Sequence, residues 1–200
     1  LYIKNNYLFI PPHSQPAMII TLAGNPGAGK STVAKLLAKK LNFPVYSMGD
    51  LRGKMAIDRG LTIDQLNDLG MNEKWTDTDV DTYQTKLAEQ ENNFIMDSWL
   101  GWFFIPQAKK IFLDVNPDIG AERIFNARKK EDRPDEPLYE SIQQTKQILH
   151  DRVLQNKERY KKHYGEKADF LNKQNYDIVI DTTNITPEQA VKKIITFTQQ

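Results

Sequence analysis

The strongest constraint on this chain is the run Gly24-Asn-Pro-Gly-Ala-Gly29-Lys30-Ser31. It matches the pattern G-x-x-x-x-G-K-[ST] at every fixed position, a pattern with physical meaning only between a strand and a helix. Both flanks fit. Met18-Ile-Ile-Thr-Leu-Ala23 is a short apolar run bounded by Pro16 and Gly24, which predicts a buried strand. From Lys30 to Leu41, apolar Val33, Leu36, Leu37 and Leu41 recur at helical spacing, and Asn42 and Pro44 stop the helix. In that setting Gly27 and Gly29 let the backbone wrap closely and turn N–H groups toward phosphate oxygens. The helix start adds its partial positive charge. Lys30 can reach the β- and γ-phosphates of a bound nucleotide, and Ser31 can hold Mg²⁺. The bland alternative, a glycine-rich turn with an incidental Lys-Ser, explains neither flank.

The rest of the chain repeats the strand-then-helix rhythm. Val45–Met48, Phe94–Asp97, Lys110–Val115 and Tyr176–Asp181 read as four more buried strands. Helices are predicted to start at Thr62-Ile-Asp-Gln and at Pro117, to span Asp79–Asn92 and Leu138–Tyr164, and to open at Thr186-Pro187-Glu188. Strands without polar alternation, separated by helices, argue for a parallel sheet covered on both faces. We expect one domain over 18–200, with mobile insertions at about 50–92 and 129–137. Residues 1–17 read as an extension, native or added, that does no chemistry. Its apolar start is short, ends at Pro11-Pro12 and lacks a small-residue cleavage site.

Composition narrows the chemistry. The chain has 27 Lys+Arg against 26 Asp+Glu, no cysteine and three scattered histidines. Thiol nucleophiles, cysteine-bound metals and histidine metal clusters are excluded or disfavoured. The charge balance gives no case for a nucleic-acid polymer as partner. No run reaches the roughly 18 apolar residues of a membrane span. A cytoplasmic protein, a monomer or weak dimer, is the default expectation.

Several charged residues stand out beyond the loop. Asp97 ends the third strand, where a carboxylate commonly reaches Mg²⁺ through water; a strand-end cap is the plain alternative. Asp114 holds a similar place on the fourth strand and ranks lower. Phosphoryl transfer needs charge neutralisation, so arginines on closing elements matter. Arg123 and Arg128 lie on the helix after the fourth strand, and Arg133 lies in the loop beyond. Arg152 and Arg159 share one face of the long helix, on the same side as His163. Taken alone, these arginines read equally well as a solvated helix face.

In this order the chain carries the phosphate loop, Ser47-Met-Gly-Asp50, Phe94-Ile-Met-Asp97, Ile111-Phe-Leu-Asp-Val115, Ala121-Glu-Arg-Ile124, Arg152, Glu158-Arg-Tyr160, Tyr164 and Asp177-Ile-Val-Ile-Asp-Thr182. With these segments it resembles the nucleoside monophosphate kinases, most of all the short archaeal-type cytidylate kinases, over residues 18 to about 195. The match through Thr76-Asp-Thr-Asp-Val-Asp-Thr-Tyr-Gln84 is weaker. The resemblance implies a P-loop NTPase α/β three-layer sandwich whose five parallel strands run in the order 2-3-1-4-5, the threading that right-handed crossovers also favour. It implies ATP and Mg²⁺ as cofactors and a small-molecule acceptor as partner. Gly24, Asn25, Pro26, Gly27, Ala28, Gly29, Lys30, Ser31 and Thr32 are implied to bind ATP, with Mg²⁺ beside Ser31 and Asp97. Lys30, Arg123, Arg128 and Arg152 are the implied catalytic residues, and Asp50 and Arg159 are implied to border the acceptor; Arg52 and Trp99 are further acceptor candidates, at positions where this chain departs from the family.

The acceptor half departs from the family pattern. An arginine usual three residues after the Gly-Asp turn is Gly53 here. Arg52 precedes it, about 100° away around a helix. Where the family usually reads Asp/Glu-Gly-Arg after the third strand, this chain reads Asp97-Ser98-Trp99, and Thr82 and Tyr83 stand where basic residues are common. Arginine grips a phosphate bidentately at roughly 1.5–3 kcal/mol per charge-assisted bond. Three readings therefore stay open. The chain transfers phosphate to CMP or dCMP with Arg52 and Lys54; it serves another small acceptor, with Trp99 and Trp102 stacking on a ring; or it binds and slowly hydrolyses ATP as a regulatory protein. Trp99 and Trp102 also read as simple packing in the apolar run Trp99–Ile105.

Overall fold

The computed structural model describes residues 18–130 and 135–199 and the backbone of residues 3–4 and 7–8. Those four residues form a short antiparallel pair. The rest of the expected extension, and Arg133, lie outside the described residues.

The central sheet has five strands, β1 (Met18–Gly24), β2 (Val45–Ser47), β3 (Asn93–Asp97), β4 (Lys109–Asp114) and β5 (Ile178–Asp181). All pair in parallel, in the order β2-β3-β1-β4-β5 that the sequence predicts. The central strands are apolar on both faces because both faces are covered. On one side Ile20, Leu22, Ile95, Ile111 and Leu113 pack with Val33 and Leu37 of α1 (Lys30–Leu41) and with Val191 and Ile194 of the C-terminal helix. On the other, Ile19, Phe94 and Met96 meet Met55, Leu66 and Val80, which come from α2 (Met48–Ile57), α3 (Ile63–Gly70) and α4 (Trp75–Gln90). Each large apolar side chain buried this way contributes about 1.5–3 kcal/mol.

Helix boundaries follow capping groups more closely than apolar spacing. Ser47 ends β2 and caps α2 by accepting from the Asp50 N–H, so Met48 is helical instead of extending the strand. A capping box of Thr62 and Gln65 opens α3 where expected. The short α5 (Gly101–Phe104) follows β3, and Pro117 starts α6 (Pro117–Arg128). The long helix α7 runs Ile142–Tyr164 and begins later than Leu138, because Ser141 caps it. Thr186 and Gln189 form a second capping box at the start of α8 (Pro187–Thr198). The helix α4 begins at Trp75, a turn before the predicted Asp79.

This topology sends the ends of β1, β2 and β3 to one edge of the sheet. Ligands of open parallel sheets bind at that edge.

Candidate active site

The phosphate loop follows β1 directly, and its shape depends on two glycines. Gly24 has φ +151°, and a Cβ there would meet the Leu113 carbonyl oxygen at 2.1 Å. Gly27 has φ +78°, and its Cβ would lie 2.3 Å from the Gly120 carbonyl oxygen. The loop is therefore pressed against β4 and α6 with no room for side chains. Asn25 ties it to the β4 end by donating to Asp114 at 2.6 Å, and Asp114 also pairs with Lys173. Asp114 is thus a structural clamp on the loop. The helix α1 starts from Gly29 with neither a side-chain cap nor an acidic first turn, unlike α2, α3, α6, α7 and α8, each of which has a side-chain cap. Its first N–H groups are left for an anion.

Lys30 bends back over the loop and donates to the carbonyls of Gly24 at 3.0 Å and Asn25 at 3.3 Å. Burial pushes its ammonium pKa down, while Asp97 pulls it up. An arriving phosphate would restore the charge balance. Ser31 donates to Asp97 Oδ2 at 2.8 Å. Asp97 is buried at the end of β3; burial raises its carboxyl pKa, Lys30 and Ser31 lower it, and Asp50 adds a further raising contribution. A hydroxyl and a carboxylate beside a phosphate site are hard oxygen donors that suit Mg²⁺. Among the described residues no three His, Cys, Asp or Glu form a metal cage. A cation between Ser31 and Asp97 would take its other ligands from phosphate and water.

Beside the loop opens a cavity of about 390 Å³, lined from Gly27, Lys30 and Ser31 on one side to Arg52, Asp77 and Arg159 on the other. The floor of the side away from the loop is a buried ionic network. Arg52 donates to Asp77 Oδ1 at 2.9 Å, the Thr76 carbonyl at 2.6 Å and Asn67 Oδ1 at 3.1 Å. The fully buried Arg159 donates to the same Asn67 oxygen at 2.9 Å. Its Nε lies 3.1 Å from Asp77 Oδ2, without hydrogen-bond alignment. Two guanidiniums thus sit side by side, bridged by one carboxylate and one amide. Burial lowers the pKa of Arg52, and the neighbouring charge of Arg159 lowers it further. Gly70 makes room for the pair, since a Cβ there would lie 2.9 Å from Arg159 Cδ and 3.2 Å from Arg52 Nη2.

The remaining predicted residues divide. Arg152 lines the cavity and forms ion pairs with Asp64 at 2.9 Å and Glu136 at 2.9 Å. Burial works against its charge, but Glu136 and Asp64 hold its pKa above the usual arginine value. Arg128 lines the cavity and donates to the carbonyls of Glu136 at 3.1 Å and Pro137 at 3.2 Å. Asp50 is exposed at the rim.

Arg123 lies apart from the cavity lining. Its guanidinium is engaged by the carbonyls of Gly27 at 3.3 Å, Thr182 at 2.9 Å and Thr183 at 3.1 Å, and it does not line the cavity. In this arrangement it braces the loop against the β5 end. Trp99 lines the cavity but also braces the loop: its indole N–H donates to the Gly24 carbonyl at 2.9 Å, and its ring stacks on Phe170 at 4.6 Å. Trp102 packs with Ala23, Phe112 and Tyr176. At Gly53, where the sequence lacks the arginine, a Cβ would lie 2.6 Å from Asp135 Oδ2, so that side chain would have to turn aside for a larger residue.

Sequence reasoning missed Asn67, Asp77, Asp81, Gln84 and Ser98, all of which line the cavity. The available signal was the spacing of Asp77, Val80, Asp81 and Gln84, which places them on one face of α4.

The AAA domain family model matches residues 20–150. A cytidylate kinase from Methanocella arvoryzae is 36% identical over 166 residues, covering 83% of this chain and 88% of that protein. An S-adenosylmethionine-dependent nucleotide dehydratase from Lacinutrix mariniflava is 32% identical over 182 residues, covering 90% of this chain and 36% of that longer protein. The structure of a shikimate kinase from Bacteroides thetaiotaomicron superposes with a TM-score of 0.61 at 17% identity, over 92% of this chain and 99% of that one, and shares the fold. No helix among the described residues is long and apolar enough to cross a membrane. A phosphate loop at the ligand edge of a 2-3-1-4-5 parallel sheet agrees with these likenesses: the chain belongs to the AAA domain family by its family model and to the cytidylate kinases by its sequence relatives.

Proposed function

We propose that the chain transfers the γ-phosphoryl group of ATP to a nucleoside monophosphate of the cytidylate type. One observation carries this reading. A single cavity joins the uncapped start of α1 and Lys30 to the buried Arg52–Arg159 pair, so a donor and an anionic acceptor can meet inside it.

In the reaction, an acceptor phosphate oxygen forms a bond to the γ-phosphorus while the bond from that phosphorus to the β-bridging oxygen breaks, and ADP leaves. The acceptor oxygen is already anionic, so no general base is required. The loop amides and Lys30 hold the triphosphate. Ser31 and Asp97 would hold Mg²⁺, which when bound would supply charge neutralisation to the polyphosphate. Arg128 and Arg152 lie over the cavity on α6 and α7, and an incoming dianion competes with Glu136 and Asp64 for Arg152. Arg52 and Arg159 give the floor its positive charge, with Asp77 and Asn67 fixing their positions.

The test is ADP release, measured by a coupled assay, with CMP, dCMP, UMP, AMP, GMP and dTMP as acceptors. Release that rises with at least one monophosphate is expected. Equal release with and without every acceptor would overturn the proposal and favour a slow ATP hydrolase.

A further inference from the structure

One wall of the cavity carries a hydrogen-bond chain with a defined direction. The Leu100 N–H donates to Ser98 Oγ at 3.3 Å, and Ser98 Oγ donates to Gln84 Oε1 at 3.1 Å. Gln84 Nε2 donates to Asp81 Oδ1 at 3.1 Å, and the Tyr164 hydroxyl donates to Asp81 Oδ2. The carboxylate fixes this polarity: it can only accept, so the Gln84 amide must turn its nitrogen to Asp81 and its oxygen to Ser98. Gln84 is 1% exposed and Ser98 7%, and both line the cavity with Asp81. Two capacities remain after the internal bonds are counted. Asp81 keeps spare lone pairs, and Gln84 Nε2 keeps a second N–H. The wall therefore offers an acceptor beside a donor.

We infer that Asp81 and Gln84 read the acceptor base, selecting an exocyclic amine next to an unprotonated ring nitrogen, as in cytosine, over the oxo edge of uracil. This rests on the proposed transfer to a nucleoside monophosphate. The cytosine amine donates to Asp81, and its N3 accepts from Gln84. Uracil presents the opposite polarity at both points, setting its O4 against a carboxylate and its N3–H against an N–H. Adenine shares the amine-and-ring-nitrogen edge, so CMP against UMP is the pair that isolates this contact. Asp77 and Val80, on the same face of α4, place the reading pair between the arginine floor and the apolar core.

The experiment compares kcat/KM for CMP and UMP in the unmodified chain, Asp81→Asn and Gln84→Met. A good bidentate base contact is worth about 10- to 100-fold in discrimination, and that preference for CMP is expected in the unmodified chain. Asp81→Asn places an amide N–H within reach of O4, so the CMP value should fall at least tenfold, the UMP value should hold or rise, and the ratio should approach one. Gln84→Met should lower the CMP value more than the UMP value. ATP binding, measured by calorimetry, reports whether each variant is folded; if Asp81→Asn fails that check, Gln84→Met decides. A CMP/UMP ratio unchanged in the folded variants overturns the inference while leaving the kinase reading intact. No acceptor-dependent ADP release from the unmodified chain with any monophosphate overturns both.

Discussion

The two halves of the cavity are built from different materials. The donor half is backbone: loop carbonyls, loop amides and the open end of α1, with Lys30 resting on carbonyls five and six residues away in sequence. The acceptor half is side chain. Its contacts join Arg52 to Asp77 across 25 residues, Arg152 to Asp64 across 88 and Arg159 to Asn67 across 92. A backbone site is fixed once the loop folds. A side-chain site exists only when α2, α3, α4 and α7 have all docked, and its two buried guanidiniums, Arg52 and Arg159, share the single carboxylate of Asp77. The comparison predicts that changes in the acceptor half will damage stability and changes in the donor half will damage chemistry.

Asp77→Ala tests this contrast most directly. It leaves Arg52 and Arg159 buried together without their carboxylate, and removing one partner of a buried ion pair costs about 3–5 kcal/mol. Urea denaturation should show a loss of that size. A loss below about 1 kcal/mol, in the range of a surface pair, would show that the network is not compensated as described. Lys30→Ala is the matching change in the donor half. The ammonium there is partly desolvated and bonded only to carbonyls, so the fold should survive. Transfer should fall about 10²- to 10³-fold, the scale for removing one preorganised donor at a developing charge. Retained activity would refute the role given to Lys30.

The same contrast explains what was legible in the sequence. The donor loop lies in consecutive residues, and its glycines, lysine and serine each have a local physical reason. The sheet order follows from five apolar runs and the handedness of crossovers. Arg152 and Arg159 share one helix face and both line the cavity, which is legible because helical spacing is local. Their partners were not legible, since Asp64, Asn67, Asp77 and Glu136 come from other elements and look like ordinary solvated polar residues. The lack of an arginine at Gly53 reads in sequence as a deficit; in three dimensions Asp135 approaches that glycine, and Arg52 lines the cavity from the adjacent position. The partners of Arg123 were hidden for a related reason: its sequence neighbourhood shows a basic helix face, and only the fold reveals the three carbonyls that meet it.

The acceptor half should also carry a pH signature. Burial raises the Asp81 carboxyl pKa from 3.8 to about 6; Asp77 adds to that shift, while the Tyr164 and Gln84 bonds and the Arg52 charge oppose it. Of the groups facing it, Asp77, Gln84 and Arg52 lie on α4 and α2, and Tyr164 lies on α7. A carboxyl whose folded pKa lies above its unfolded one binds a proton in the native state that the unfolded chain does not. Stability therefore falls as pH rises from about 4 to about 6, and the cost persists above that. Asp81→Asn abolishes this titration. The stability difference between variant and unmodified chain should move in the variant's favour by up to about 3 kcal/mol between pH 4 and pH 7. Chemical denaturation at several pH values reads it, and a flat difference would mean that Asp81 titrates normally.

Trp99 sits where the halves touch, and it gives the smallest and most local test. Its indole N–H holds the Gly24 carbonyl that Lys30 also holds, while its ring rests on Phe170. Trp99→Phe keeps an aromatic ring on Phe170 and removes only the donor, at a cost of about 0.5–1.5 kcal/mol for one hydrogen bond. If Trp99 acts as a brace on the loop, ATP affinity should weaken by about two- to tenfold, with KM for the acceptor nearly unchanged. The reverse pattern, with acceptor KM rising and ATP affinity intact, would assign the ring to the acceptor. The division of the cavity would then run through Trp99 itself, with one residue serving the donor by its N–H and the acceptor by its face.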